Sequence, residues 1–338
     1  MKSTAFSLAI ALLLSAAVLL SACGTQSVSP PPEQYSGKEW PINPVQRYTP
    51  AVYGDTVVWM DRSNVDGEKN VYGHDLTTHL EFAVCAASGT QQNPAIDGDI
   101  VVWEDNRNGN WDIYGYDMAA GKGFAICTAA ADQSNVSIDG DIVVWEDMRD
   151  WATFKSDIYG YDLSAGVEFL VCDQRDEQRD PDVSGDIIIW QETRNGNNDI
   201  YSYNLSADYN VAEVPVSTNL SDQSQARISG DIVVWVDLRF GNPDILGYNR
   251  ITEEALFICT HNATQRNPAI DGDIVVWEDD RNGNWDIYGY DLSTGTGFVV
   301  CDHVADQYNP AVAGDIVVWE DKRNGNDDIY GVRLSDLR

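Results

Sequence analysis

A frame centred on a tryptophan occurs seven times in this chain of 338 residues. Trp103 sits in Gly98-Asp99-Ile100-Val101-Val102-Trp103-Glu104-Asp105, and Trp277 sits in Gly272-Asp273-Ile274-Val275-Val276-Trp277-Glu278-Asp279. The same frame surrounds Trp59, Trp145, Trp190, Trp235 and Trp319, at successive spacings of 44, 42, 45, 45, 42 and 42 residues. A unit of that length cannot bury its own apolar face. It has to stack against copies of itself, so the period constrains the fold more than any other property of the sequence.

Within each period four short strands can be read. In the second repeat Asn93-Pro94-Ala95-Ile96 opens strand a, and Asp97-Gly98 is a tight turn of the kind that accepts positive φ. Ile100-Val101-Val102-Trp103 is strand b, and its unbroken apolar run implies cover on both faces. Asn108-Gly109-Asn110 turns the chain into strand c, Asp112 to Tyr116, and Phe124 to Cys127 is strand d. No segment of 39–338 holds a helical period. Four-stranded sheets repeated about an axis predict an all-β, seven-bladed β-propeller, which leaves few strand edges exposed. The chain ends after strand c of the seventh repeat, while Glu39-Trp40-Pro41-Ile42 precedes the first strand a, where a strand d would lie. The N-terminal segment is therefore expected to complete the last blade, with Pro41 tolerated on an edge strand.

The frame Pro-Ala-Ile-x-Gly-Asp-Ile-Val-Val-Trp-x-Asp-x-Arg-Asn-Gly-Asn-x-Asp-Ile-Tyr-x-Tyr-Asp-Leu resembles the TolB-type propeller repeat. It is closest to the version found in tandem in surface proteins of methanogenic archaea. The resemblance covers nearly all of 39–338. It implies an extracytoplasmic seven-bladed ring and carries no settled activity.

Ahead of the repeats, Lys2 and an apolar run from Ala5 to Leu20 read as a signal peptide over 1–22. Leu20-Ser21-Ala22-Cys23 resembles the lipobox of prokaryotic lipoproteins, which implies cleavage before Cys23 and lipid on its sulfur. An uncleaved membrane anchor is the alternative. Residues 23–38, with Pro30-Pro31-Pro32, read as the lipidated cysteine and a flexible tether. With Lys+Arg at 21 against Asp+Glu at 54, the net charge is -33, which argues against DNA or RNA as a partner. The expected location is the outer side of the membrane, held by the lipid alone.

A residue present in every blade is expected to be structural, since one site cannot use seven copies. Seven of the 11 tryptophans occupy the strand b position and belong to the core. Cys85, Cys127, Cys172, Cys259 and Cys301 share one register on separate strands d, so no intramolecular disulfides are expected and the thiols should serve as small apolar groups. In the loop Asp105-x-Arg107-Asn108-x-Asn110-x-Asp112, oxygen ligands at close spacing loosely resemble a calcium loop. A guanidinium in the middle, read in all seven repeats from Arg62 to Arg323, favours a hairpin staple of Asp105, Arg107 and Asp112, with calcium as the alternative. No other cofactor is implied. The recurrent glutamines, from Gln91 to Gln307, are expected to hydrogen-bond the loop entering strand a, or else to line the channel mouth. No unequal catalytic set facing the axis emerges from the repeat.

Function is expected where the repeat breaks. The b–c and d–a loops share one face, and that face varies most. It carries Trp111, Trp151 and Phe154 in blades two and three, Phe240 in blade five and Trp285 in blade six. Aromatic rings beside Asp, Asn and Arg suit sugar rings and protein hot spots alike; the bland alternative is that each ring lies over the arginine of its own blade. Asn135, Asn204, Asn219 and Asn262 open Asn-x-Ser/Thr sequons, which a modifying host could glycosylate. The expectation is a protein- or polysaccharide-binding scaffold of the cell envelope. A polysaccharide lyase or hydrolase working in the central channel and a passive surface-layer spacer are the alternatives.

Overall fold

The computed structural model describes residues 39–42, 46–62, 67–149, 155–207 and 213–337. They form seven four-stranded antiparallel sheets. In blade 2 the strands are β6 (Gln91–Asp97), β7 (Ile100–Asp105), β8 (Asp112–Asp117) and β9 (Lys122–Cys127), hydrogen-bonded in that order, and the pattern repeats through the chain. Strands a contact their counterparts in neighbouring blades, and the contact between the first and the seventh strand a completes the ring. The protein is a seven-bladed β-propeller.

The last blade has the order β1-β28-β27-β26, where β1 is Trp40–Pro41, β26 Gln307–Ala313, β27 Ile316–Asp321 and β28 Asp328–Arg333. The N-terminal segment is thus its outer strand, as its position predicts. The substitution is close in detail. In blade 2 the Phe124 ring covers Gly115, where an added Cβ would meet ring atoms at 2.6 Å. In blade 7 the indole of Trp40 covers Gly331 in the same register.

The core lies between blades. Val58, Val71 and Val84 of blade 1 pack on Ile96, Val101 and Trp103 of blade 2, and comparable clusters follow around the ring. This is why strand b is apolar on both faces: each central strand is covered by the blade before and the blade after. Burial of this kind is the main favourable term in folding.

Candidate functional site

The face formed by the b–c and d–a loops is stitched by one repeated clamp. The Trp103 indole donates from Nε1 to Asp105 Oδ2 at 2.9 Å, and Arg107 grips the same carboxylate through Nε, at 2.8 Å to Oδ1, and through Nη2. The guanidinium lies over Tyr114, 4.2 Å from the ring centroid. Blades 3 and 5 repeat the pair at 2.6 Å. Asp112 is not part of this staple, contrary to the sequence reading. The side-chain amides of Asn108 and Asn110 donate to it at 2.7 and 2.8 Å, so the loop's carboxylate is engaged by nitrogen donors.

Blade 1 corrects another expectation. Arg62 follows Asp61 directly, one position short of the clamp register. The guanidinium comes instead from Arg47, which stands where the other blades have the buried glutamine. It lies 4.2 Å from the Trp59 ring centroid, pairs with Asp61 at 3.5 Å and with Glu81 at 2.7 Å. The cysteines are free thiols, yet more than apolar filler, because Arg107, Arg149, Arg281 and Arg323 donate toward their sulfurs at 3.1 to 3.3 Å. Burial pushes the Cys127 thiol up to about 12, which makes it a poor nucleophile. The glutamines bond the entering loop as expected; Gln133 Nε2 donates to the Ala131 carbonyl at 2.7 Å.

The axis holds what the sequence reading missed. Each strand a bulges near its start, and the bulge residue has positive φ in every blade: Thr49, Asn93, Asn135, Asp180, Gln225, Asn267 and Asn309. Asparagine and aspartate accept this conformation better than most residues. The bulge delivers its amides to a ring of strand b carboxylates, Glu104, Glu146, Glu278 and Glu320, all buried. Glu146, for example, accepts from the Asn135 side chain at 2.6 Å and from the Asp180 backbone of the next blade at 2.7 Å. Burial raises its pKa to about 7. Where blade 5 has Val236, Gln225 supplies the missing acceptor, taking the Asn267 N–H at 2.9 Å. The carboxylates therefore tie blade to blade.

One layer deeper the ring is unequal. The position is alanine in four blades (Ala51, Ala95, Ala269 and Ala311) but Ser137, Asp182 and Arg227 in blades 3, 4 and 5. Ser137 Oγ donates to Asp182 at 2.6 Å, and the Ile228 N–H donates to its other oxygen at 2.9 Å. These side chains line an axial cavity of about 400 Å³. An unequal set does face the axis.

The candidate aromatics divide. Trp151 and Phe154 lie outside the described residues, as does Cys23. Trp111 is half-buried, its backbone N–H held by Asp132 at 2.9 Å. Phe240 is 55% exposed and meets Phe257 at 6.3 Å between centroids, on the outer side of blade 5. Trp285 does lie over an arginine of its own blade, but over Arg266 of strand a at 3.7 Å, while Arg281 of the clamp covers Tyr288. From there a continuous sector runs along the channel rim. Arg266 reaches toward Tyr308 at 6.0 Å, Lys322 lies 4.8 Å from the same ring and 3.5 Å from Asp327, and Asp327 bonds Tyr48. Of the sequons, Asn135 is the axial bulge residue just described; Asn219 and Asn262 are exposed, and Asn204 is half-buried, its side-chain oxygen accepting from Ser206.

No family model matches the chain, and no curated protein matches it in sequence. Solved structures share the fold. A puromycin hydrolase in complex with PGG superposes with a TM-score of 0.70 at 11% identity, over 88% of this chain and 53% of that one. This chain thus spans about half the length of that hydrolase. An oligogalacturonate lyase in complex with manganese gives 0.64 at 13% identity, over 89% of this chain and 94% of the lyase. The β-propeller domain of the Trilobed protease from Pyrococcus furiosus gives 0.64 at 12%, over 87% and 96%. At such identities the likeness concerns the fold.

Proposed function

We propose that the chain is a lipid-anchored, extracytoplasmic binding module of the cell envelope, of the TolB-like kind, whose loop-rich face engages a protein or polysaccharide. The observation that carries this is the sector Trp285, Arg266, Tyr308, Lys322, Asp327 and Tyr48. Aromatic faces alternate with charges there, on blades 6, 7 and 1. Such a surface offers ring stacking and directed hydrogen bonds together, as sugar and protein recognition both require. On the opposite face the a–b turns carry the same Gly-Asp pair in all seven blades, from Gly54-Asp55 to Gly314-Asp315. A polysaccharide-active enzyme with its site in the channel is the second reading, favoured by the unequal Ser137, Asp182 and Arg227 and by the fold shared with a lyase and with peptidases. It ranks second because Ser137 and Asp182 pair with no histidine among the described residues, and fold alone does not carry activity.

The test is capture from a solubilised cell envelope, with captured material assayed for protein and sugar. A Trp285→Ala, Tyr308→Ala double variant should lose the captured material, as should a Trp151→Ala, Phe154→Ala variant if the face extends to blade 3. Equal capture by all three proteins would overturn the face assignment. Hydrolysis or elimination of an offered polysaccharide that disappears in Asp182→Asn would move the assignment to the enzyme.

A further inference from the structure

The inequality inside the channel goes beyond binding on the outer face. Arg227 occupies a position that is alanine in four other blades, so neither strand a nor its bulge requires an arginine there. Its guanidinium makes one hydrogen bond, from Nη1 to the Ala226 carbonyl at 2.7 Å, and enters no ion pair among the described residues. Asp182, the carboxylate of the same layer, takes its hydrogen bonds from Ser137 and the Ile228 N–H, and Arg227 acts on it through charge without a direct contact. A guanidinium has five N–H donors in a fork that fits a carboxylate. Most of them are unspent here, at the wall of a cavity whose volume of about 400 Å³ falls in the range of small-molecule sites.

The rest of the lining says what would fit. Arg227 is the one cation among the residues lining the cavity. Asn93, Asn135 and Asn309 also line it, and each gives its amide nitrogen to the glutamate ring at 3.1, 2.6 and 2.7 Å. What these asparagines offer to the cavity is therefore their oxygen, an acceptor for hydroxyl groups. A doubly charged anion would meet one cation against Asp180 and Asp182 of the lining, the buried carboxylates Glu104, Glu146, Glu278 and Glu320, and a chain of net charge -33. Arg227 can offset a single negative charge by direct pairing, and it has no second cation beside it to offset another. We propose that the axial cavity binds a small hydroxylated monocarboxylate, its carboxylate on Arg227 and its hydroxyls on the asparagine oxygens. Sugar acids have this chemistry.

Isothermal titration of the full chain with D-glucuronate, gluconate and lactate, beside glucose and inorganic phosphate, tests this. At least one carboxylate should bind, and Arg227→Ala should weaken it tenfold or more while Arg227→Lys keeps part of the affinity. The alanine variant carries the repeat's own residue and should fold; its melting curve checks that. No binding of any carboxylate, equal binding by Arg227→Ala, glucose bound as well as glucuronate, or phosphate bound more tightly would each overturn the proposal. So would a loss of stability in Arg227→Ala that Asp182→Ala restores in the double variant, because Arg227 would then be the counter-ion of Asp182.

Discussion

The rim clamp and the axial layer are built by the same seven blades, yet they treat repetition in opposite ways. At the rim every blade arrives at one solution, a guanidinium on a buried carboxylate. Blade 1 does so with an arginine from a different strand, Arg47. At the axis three neighbouring blades depart from alanine, and the departures differ in charge: Ser137, Asp182 and Arg227. A contact that is re-established when its own residue is lost is one the ring needs for stability. A residue that appears once, where alanine serves elsewhere, is free of that demand. Substitutions at the two places should therefore differ sharply in cost.

The largest effect is expected from Asp105→Ala. It strands the Trp103 indole N–H in the core and leaves Arg107 without its partner, while Asp105 itself is fully buried. Removing one member of a buried pair costs about 3–5 kcal/mol, to be read from chemical denaturation. A loss below about 1 kcal/mol, the level of a surface pair, would mean the clamp is ornamental. Arg47→Gln comes next. It installs the residue that the other six blades carry, yet it should destabilise by about 2–3 kcal/mol, because it removes the Arg47 charge from the buried Asp61 and a charged hydrogen bond from Glu81. If Arg47→Gln proves neutral, the seventh clamp is incidental and the contrast between rim and axis weakens.

The pH response sharpens the same comparison, since the bulge ring and strand c hold carboxylates that burial makes hard to ionise. Glu146 is pushed up to about 7, and Asp244 and Asp286 up to about 6. Each folded value lies above its unfolded one, so the folded state binds the proton more tightly. Their contribution to stability is complete below the ordinary carboxylate range and is lost as pH rises through 6 to 7. The melting temperature should rise by a few degrees, roughly, between pH 8 and pH 5. In Glu146→Gln the rise should be smaller. A melting temperature that falls over this interval would contradict the assignment.

Much of this architecture was legible because the repeat averages out local ambiguity. Seven aligned copies reveal the strands, the turn at Asp97-Gly98, and the missing strand d that Glu39 to Ile42 supplies. The clamp was legible in residue type but not in register. Arg62 matches by composition, and only the fold shows that Arg47, directly opposite Asp61 on the neighbouring strand, reaches it. The glutamate ring was hidden for a different reason. Glu104 adjoins Trp103 in a strand that reads as an apolar run, and the alternation that turns the carboxylate to the axis is masked by cover on both sides. Arg227 was visible all along as a departure from Pro-Ala-Ile in strand a. It lies in strand a, away from the variable loops where function is expected from the sequence. The face aromatics named from sequence were divided by the structure: Trp285 entered a cationic sector because Arg266 replaces Gln92 of blade 2, a difference of one residue between otherwise similar blades.

The smallest expected effect is the most informative. Arg227→Ala and Arg47→Gln both restore a residue that other blades carry at the same position. If restoring the repeat were what mattered, both should stabilise. The contacts predict otherwise. Arg47 is buried against two carboxylates, whereas Arg227 hydrogen-bonds the carbonyl of Ala226 and reaches Asp182 through charge alone, at the wall of an open cavity. Arg227→Ala should change unfolding free energy by no more than about 0.5 kcal/mol, the range of substitutions outside packed or paired sites. It should also leave the pH profile set by Glu146 intact, because Glu146 is tied to blades 3 and 4 alone. Chemical denaturation of the two variants side by side decides the matter. A loss of 2 kcal/mol or more in Arg227→Ala (about the cost of a charged hydrogen bond) would place Arg227 with the clamps. A neutral result leaves an arginine that the ring does not need, facing a cavity that can hold a ligand.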